Sequence, residues 1–457
     1  VDPEPSAAVM AAAITERSAT GVAAAVNRMI RAGELTPGTR LPTVRKLAEA
    51  LGTSPTTVNE AWRWLSRIGA IRTEGRNGSF VAEQPGTARP SRFWRLAGDA
   101  GRLERDLSTG VPDPELLPRL PALPGRGETP LGYLDPPVLP ELETLLREAW
   151  RPLWEPEAVT VVDGSLDAVD RLLRHLVHFG DRVVVENPTF PPLLDLLEVL
   201  GATVVGVGAD ESGILPEDLH RALHRRTAVV LLQPRAQNPT GTSMTTERAQ
   251  ELAEILRRSP DTIAVEDDHV GAIATAEQVS LARYAPERTA HVRSFSKSHG
   301  PDLRLAAVGG PTELVEQLVA RRSLGPAWSS RLLQRLLATM LTDQECVAAV
   351  ERARTTYAHR RAAVVEALNR RGVAATGEDG FNVWVEVPEE RDSLVLLASH
   401  GIGAAPGQPF FLAPGANTGG HVRLTTAALR TEHAPWLADS IAEATRVQGH
   451  YRHRVGR

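Results

Sequence analysis

Two lysines, Lys46 and Lys297, stand against 49 arginines in this 457-residue chain. Arginine takes nearly every position that needs only positive charge, so a surviving lysine is a candidate for different work. A guanidinium stays protonated, whereas a lysine amine can lose its proton and attack a carbonyl. Lys297 lies in Ser294-Phe295-Ser296-Lys297-Ser298-His299, with Arg304 shortly after it. Alone, this pattern fits either a lysine kept by chance or a nucleophile beside an anion pocket. Other polar motifs decide between them. Asp267, in Glu266-Asp267-Asp268-His269, could hold the proton of a ring nitrogen. Asn238, in Gln237-Asn238-Pro239-Thr240-Gly241, could donate to a phenolic oxygen, and Phe190 could cover a flat ring. Gly164-Ser165, opening a helical stretch, could seat a phosphate together with Ser294 and Arg304.

These residues need a scaffold that gathers them. Apolar runs Arg182–Val185, Thr203–Val205, Ala228–Leu232, Thr262–Val265 and Leu305–Val308 read as buried strands. Helical segments at Pro192–Leu200, Leu215–His224 and Thr246–Arg258 lie between them. Such alternation predicts a mostly parallel α/β sheet covered on both faces, with ligands beyond the carboxyl ends of its strands. The polar motifs fall there, and Asp267-Asp268-His269 is expected to follow its strand. An amine, a ring-nitrogen carboxylate, a phosphate seat and a stacking ring together describe a pocket for pyridoxal 5′-phosphate.

Charge is uneven along the chain. Between Gly21 and Val81 nine basic residues meet four acidic ones, although the whole chain carries −5. A basic module on an acidic body points to nucleic acid at one end. Within it, Gly21–Arg31 has helical periodicity, Thr43 can cap a second helix ended by Gly52, and Ser54 with Pro55 can open a third. Ile71–Glu74 and Ser79–Ala82 then predict a β-hairpin wing. The alternative is a helical hairpin that contacts only protein. Residues 83–101, rich in Pro, Gly and Ala, read as a linker in which Phe93 and Trp94 could dock. The lone Cys346 excludes an intramolecular disulfide and suits a reducing, cytoplasmic setting. No apolar run is long enough to span a bilayer. The Ala-rich stretch from Ala7 to Ala13 lacks a basic flank and reads as a helix or tail rather than a signal peptide.

Gly38-x-Arg40-Leu41-Pro42-x-x-Arg45-x-Leu47-Ala48, Thr57-Val58 and Asn77-Gly78-x-Phe80-Val81 resemble the winged helix of the GntR family. The resemblance implies double-stranded operator DNA as partner. Arg40 and Arg45 would then clamp phosphates, Thr56, Thr57 and Asn59 would face base edges, and Arg76 would enter the minor groove. From about Asp106 to His433 the chain resembles a fold-type I aminotransferase. Ser108-x-Gly110-x-Pro112-Asp113, Tyr133-x-Asp135-Pro136, Asn238-Pro239-Thr240-Gly241 and Ser294-Phe295-Ser296-Lys297 carry that likeness. The combined order resembles the MocR/GabR regulators. It implies Lys297 as the Schiff-base lysine, Asp267 as the pyridine partner and Arg423 as the carboxylate-binding, effector-reading arginine. It also implies that Tyr133 reaches the phosphate of a neighbouring subunit in a head-to-tail homodimer.

The expected domains are a winged helix over 1–82, the linker over 83–101, an aminotransferase-like large domain over 102–335 and a small domain over 336–457. Several positions depart from the family pattern. His269 replaces a usual tyrosine, Phe190 another, Pro55 a frequent arginine, Glu143 another arginine, and Ala306 a common glycine. Histidine's charge changes within the physiological range, so the cofactor chromophore is expected to titrate unusually. The reading that unites these features is a cytoplasmic regulator, nucleoid-associated when bound to DNA. Its body would sense pyridoxal 5′-phosphate or a small amino compound, with at most a half-transamination. The alternatives are a working aminotransferase with an accessory DNA module, or a cofactor-free body used for dimerisation.

Overall fold

A computed structural model describes residues 6–67, 70–73, 78–82, 92, 103–122, 132–412 and 420–446. The chain forms two compact units, one of residues 1–91 with 197–202 and one of residues 92–196 with 203–457. In the first, helices α1 (Ala7–Ala13), α2 (Ala19–Arg31), α3 (Val44–Leu51) and α4 (Pro55–Arg67) precede strands β1 (Ile71–Thr73) and β2 (Ser79–Val81). Capping sets the helix starts. Thr43 Oγ1 accepts from the Lys46 N–H, and Ser54 Oγ accepts from the Thr57 N–H at 3.1 Å. Gly52, at φ 61°, ends α3 in the left-handed region that a side chain would disfavour. The apolar faces of α2, α3 and α4 meet in one core around Val22, Val26, Leu47, Val58 and Leu65. The Ala-rich start is helical, with Met10 buried in that core. β1 and β2 pair antiparallel, Ile71 opposite Val81, as expected for the wing. The wing tip with Arg76 and the linker with Phe93 and Trp94 lie outside the described residues, save Arg92, whose guanidinium pairs with Asp195 at 3.2 Å.

The second unit opens with β3 (Arg105–Asp106) and α5 (Pro140–Trp150), followed by β4 (Ala158–Val162), α6 (Ser165–Leu176), β5 (Arg182–Glu186), α7 (Pro191–Leu200) and β6 (Thr203–Val207). A small hairpin, β7 (Ala209–Asp210) and β8 (Gly213–Ile214), leads into α8 (Pro216–Leu223), β9 (Val229–Leu232), α9 (Thr246–Arg257), β10 (Ile263–Asp268), β11 (Thr289–Ser294) and β12 (Ala306–Gly310). Seven of these strands form one sheet in the order β4-β12-β11-β10-β9-β5-β6. Only β12 runs against its neighbours, so the sheet is mostly parallel as expected. β9 and the middle of β5 are solid valine and leucine, the composition of strands buried on both faces, while β10 and β11 turn polar toward their ends. Helices α10 (Thr312–Ser323), α11 (Arg331–Thr342) and α12 (Gln344–Asn369) follow. A four-stranded antiparallel sheet of β13 (Ala375–Thr376), β14 (Asn382–Val387), β17 (Gly420–Thr425) and β16 (Ala405–Pro406) shares a core with α12, α13 (Glu390–Ser399) and α14 (Ala434–Arg446), while β15 (Ile402–Gly403) pairs with β3. No helix among the described residues is long and apolar enough to cross a membrane.

One expectation needs correction. Asp267 and Asp268 do not follow their strand; β10 runs through both, paired with Val292 and Arg293 of β11. Two buried carboxylates can end a strand because β11 and the turn after β9 supply cations. Asp268 accepts from Arg235 Nη2 at 2.7 Å and lies 3.9 Å from Arg293 Nε. Burial would raise its pKa, but Arg235 and Arg293 outweigh this and hold it well below the usual carboxylate range. His291 itself is pushed down to about 3 by burial, so it stays neutral and accepts from the Trp150 indole at 3.3 Å. Arg235→Met should therefore cost about 3 kcal/mol, since breaking a buried pair leaves its partner charge uncompensated. Urea unfolding checks this, and Arg235→Met combined with Asp268→Leu should recover much of the loss.

Candidate functional site

β5, β9, β10 and β11 run parallel, so their carboxyl ends lie along one edge of the sheet. Ser165, Phe190, Asn238, Asp267, His269, Ser294, Lys297, Arg304 and Arg423 line a single cavity of about 530 Å³ there. Residues separated by more than 250 positions in sequence thus converge because strand order brings their loops together.

Gly164 stands just before α6, at φ 110°. A Cβ at that position would fall 2.5 Å from Arg304 Nη2, so glycine lets the guanidinium lie against the helix start. Arg304 also takes a left-handed backbone, φ 48°, and its Nη2 donates to the Asp163 carbonyl at 3.2 Å. A helix N-terminus, Ser165, Ser294 and an arginine make this end of the cavity suited to a phosphate.

Asp267 is 1 % exposed. Its Oδ2 accepts from Gln233 Nε2 at 3.0 Å, while Oδ1 is buried and has no partner among the described residues. Burial raises its pKa against the opposing pull of His269 and Gln233. Lys297 Nζ donates to the Gly110 carbonyl at 2.7 Å and lies 5.8 Å from the centre of the Phe381 ring. Burial, then Arg423 and Arg304, bring its amine down to about 8, with Asp267 acting in the opposite direction. That places a usable fraction of free amine at neutral pH.

Asn238 is held from both sides. Its N–H donates to Gln233 Oε1 at 2.9 Å, and its Oδ1 accepts from Arg423 Nη1 at 3.3 Å. Arg423, at the middle of β17, is 2 % exposed. It also donates to the Ser108 carbonyl, and its Nε has no partner among the described residues. Burial brings its pKa down to about 10, so it remains a cation. His269 Nε2 lies 2.9 Å from the Ala236 carbonyl, which only a protonated ring nitrogen can satisfy as donor. Burial lowers the pKa of this histidine and favours the neutral ring, leaving Nδ1 an acceptor rather than a donor. Tyr133 does not join this chain's cavity; it is 89 % exposed and packs edge-on against Trp328.

No local motif signals the role of Gln233, which ties Asp267 to Asn238, or of the Thr109-Gly110 and Phe381-Asn382 walls. Ser108-x-Gly110 was visible as a motif, but its proximity to Lys297 arises from a contact 187 positions apart. In the first unit, Arg45, Thr56 and Asn59 are exposed on α3 and α4, and Arg40 and Asn59 share a surface cleft. Thr57 is half-buried, with Oγ1 2.9 Å from Ser54 Oγ, so its hydroxyl serves the cap of α4.

Known proteins share both units. The model for aminotransferase class I and II matches residues 106–441, and that for bacterial regulatory proteins of the gntR family matches residues 18–81. The chain is 33% identical, over 94% of its own length and 99% of the other, to the vitamin B6 salvage pathway transcriptional repressor PtsJ of Salmonella typhimurium. It is 27% identical to the pyridoxine biosynthesis transcriptional regulator PdxR of Corynebacterium glutamicum, over 75% of this chain and 77% of that one. Among solved structures, the α-aminoadipate aminotransferase LysN of Thermus thermophilus, complexed with N-(5′-phosphopyridoxyl)-L-leucine, superposes with a TM-score of 0.66 at 25% identity. That match covers 78% of this chain and 96% of that one.

The lowered Lys297 pKa has a kinetic signature. Only the free amine attacks a carbonyl, so capture of added pyridoxal 5′-phosphate should quicken as pH rises and level off above about 8. Stopped-flow absorbance across pH checks this; a rise centred near 10.5, the ordinary lysine value, would contradict it.

Proposed function

The chain belongs to the aminotransferase class I and II family, joined to a gntR-family DNA-binding domain as in the MocR-type transcriptional regulators, and we propose that its body senses pyridoxal 5′-phosphate or an amino compound. The observation that carries this reading is the orphaned Asp267 Oδ1, buried in the same cavity as the Lys297 amine and the Arg304 phosphate seat. An unpaired buried carboxylate oxygen is costly, and a protonated ring nitrogen is a partner that would satisfy it. The cofactor, when bound, would supply an aldehyde and an electron-withdrawing ring.

Each residue then has a role its geometry permits. Lys297 would hold the cofactor covalently and release it to an arriving amine. Asp267, oriented by Gln233, would keep the ring nitrogen protonated, and Phe190 would cover the ring. Gly164, Ser165, Ser294 and Arg304 would bind phosphate. Asn238 would donate to the phenolic oxygen. His269, its Nε2 engaged with Ala236, would accept a hydrogen bond there when neutral and so change the chromophore's titration. Arg423 would take an effector carboxylate in exchange for the Ser108 carbonyl. Tyr133, free of its own site, would complete that of a second copy in a head-to-tail homodimer.

Operator DNA would be met by Arg40, Arg45, Thr56, Asn59 and the wing residue Arg76, in the cytoplasm. Two relatives whose names concern vitamin B6 salvage and pyridoxine biosynthesis favour the cofactor itself as the signal over an unrelated amino acid. Turnover as an aminotransferase is the second reading, favoured by the presence of Lys297, Asp267 and Arg423 together.

Purified protein should show visible absorbance that borohydride bleaches, and Lys297→Ala should show none. Adding pyridoxal 5′-phosphate should change the mobility shift of the DNA upstream of its own gene in the wild type and leave Lys297→Ala unresponsive. An unchanged shift in both would sink the sensing role, and sustained transamination with a panel of amino donors and 2-oxo acids would favour the enzyme.

A further inference from the structure

The winged unit contains a surface cleft of about 720 Å³ that the expected DNA contacts only partly use. Arg40, Asn59, Trp62 and Arg63 line it, with Thr43 and Val44 at the start of α3. Two observations single it out. The start of α3 opens into the cleft, and the N-terminal end of a helix favours negative charge. Independently, Trp62 is 4 % exposed and its indole Nε1 has no hydrogen-bond partner among the described residues. A buried N–H without an acceptor is rare in a native fold and points to an acceptor supplied from outside.

The cations agree. Neither Arg40 nor Arg63 has an acidic partner among the described residues, and Arg63 is exposed. Arg40 Nε lies 3.3 Å from where a Cβ on Gly78 would stand, so glycine at φ 102° lets that guanidinium lie along the wing. On α4, Asn59, Arg63 and Ser66 recur at helical spacing on the face that lines the cleft. The start of such a helix reaches base edges, and a position one turn further on lies about 6 Å along the axis, toward the groove wall. Phosphates stand at that wall.

We infer that this cleft seats a phosphate of the DNA backbone, with the Trp62 indole N–H and Arg63 as donors beside Arg40. The inference rests on the DNA-binding reading above and adds two residues to it. Arg63, exposed on the α4 face that lines the cleft, would close over the same group. The contact carries no base information, so it contributes equally to every sequence.

The test uses the full-length chain, a labelled duplex of arbitrary sequence and the fragment upstream of its own gene, titrated across a salt series by fluorescence anisotropy. Arg63→Gln should flatten the slope of log affinity against log salt by about 0.9, a loss of about fivefold near 0.15 M. Arg63→Lys should keep the wild-type slope. Trp62→Phe, which retains the buried ring and removes only the N–H, should weaken binding about tenfold with the slope unchanged. Both losses should be the same on the two duplexes. Thermal melts of the variants are compared with the wild type, and a Trp62→Phe loss that tracks a lowered melt would overturn its role as donor. An unaltered slope in Arg63→Gln, while the wild type still binds, would overturn the seat and leave DNA binding standing. Failure of the wild type to bind either duplex would overturn DNA binding itself.

Discussion

Two neighbouring carboxylates at the end of β10 set the terms for the rest of the body. Successive side chains of a strand point to opposite faces, so Asp267 and Asp268 enter different surroundings although one peptide bond joins them. Asp268 meets Arg235 and Arg293 and stays ionised as part of the scaffold. Asp267 enters the cavity with one oxygen held by the neutral amide of Gln233. Each carboxylate leaves its Oδ1 without a partner among the described residues, so the difference between them lies in charge and place: Asp268 is matched by cations and fixes the strand end and the turn after β9, whereas Asp267 has no such match and lines the cavity. Two buried carboxylates without cations would be costly for one strand end.

The arginine excess shapes the packing as well as the site. Arg361 donates to the carbonyls of Gly377, Glu378 and Gly380, and Arg322, 1 % exposed, donates to Asp163 and Asp167. A planar guanidinium with several fixed donors can tie off a whole loop, which a lysine ammonium does less well. In this chain burial therefore says little about whether an arginine is functional. Arg423 differs from both because it and its partner Asn238 line the cavity.

Much of this was legible in the sequence for specific physical reasons. The composition made Lys297 conspicuous, and the valine-rich runs with their polar ends predicted a parallel sheet and its ligand edge. Caps at Thr43 and Ser54 and the glycine at 52 placed the helices of the winged unit to within a residue or two. What sequence did not supply depends on distance or on competition. Gln233 is an ordinary glutamine until β9 and β10 lie side by side and let one amide hold both Asp267 and Asn238. The extension of β10 through two aspartates contradicts local propensity and succeeds only because Arg235 and Arg293 arrive from elsewhere. Thr57 looked available, but its own helix cap had first claim on the hydroxyl.

The hydrogen bond from Lys297 to the Gly110 carbonyl joins the reactive amine to a short run of chain with a particular position in sequence. That run continues back through the Ser108 carbonyl on Arg423 and β3, and β3 is the first strand after the linker. Both groups that would receive a ligand are thus occupied by the backbone that leads from the DNA-binding half. A guest taking either group competes directly with the chain's own carbonyls. The stretch that opens the body after the linker is thus also what a guest must displace.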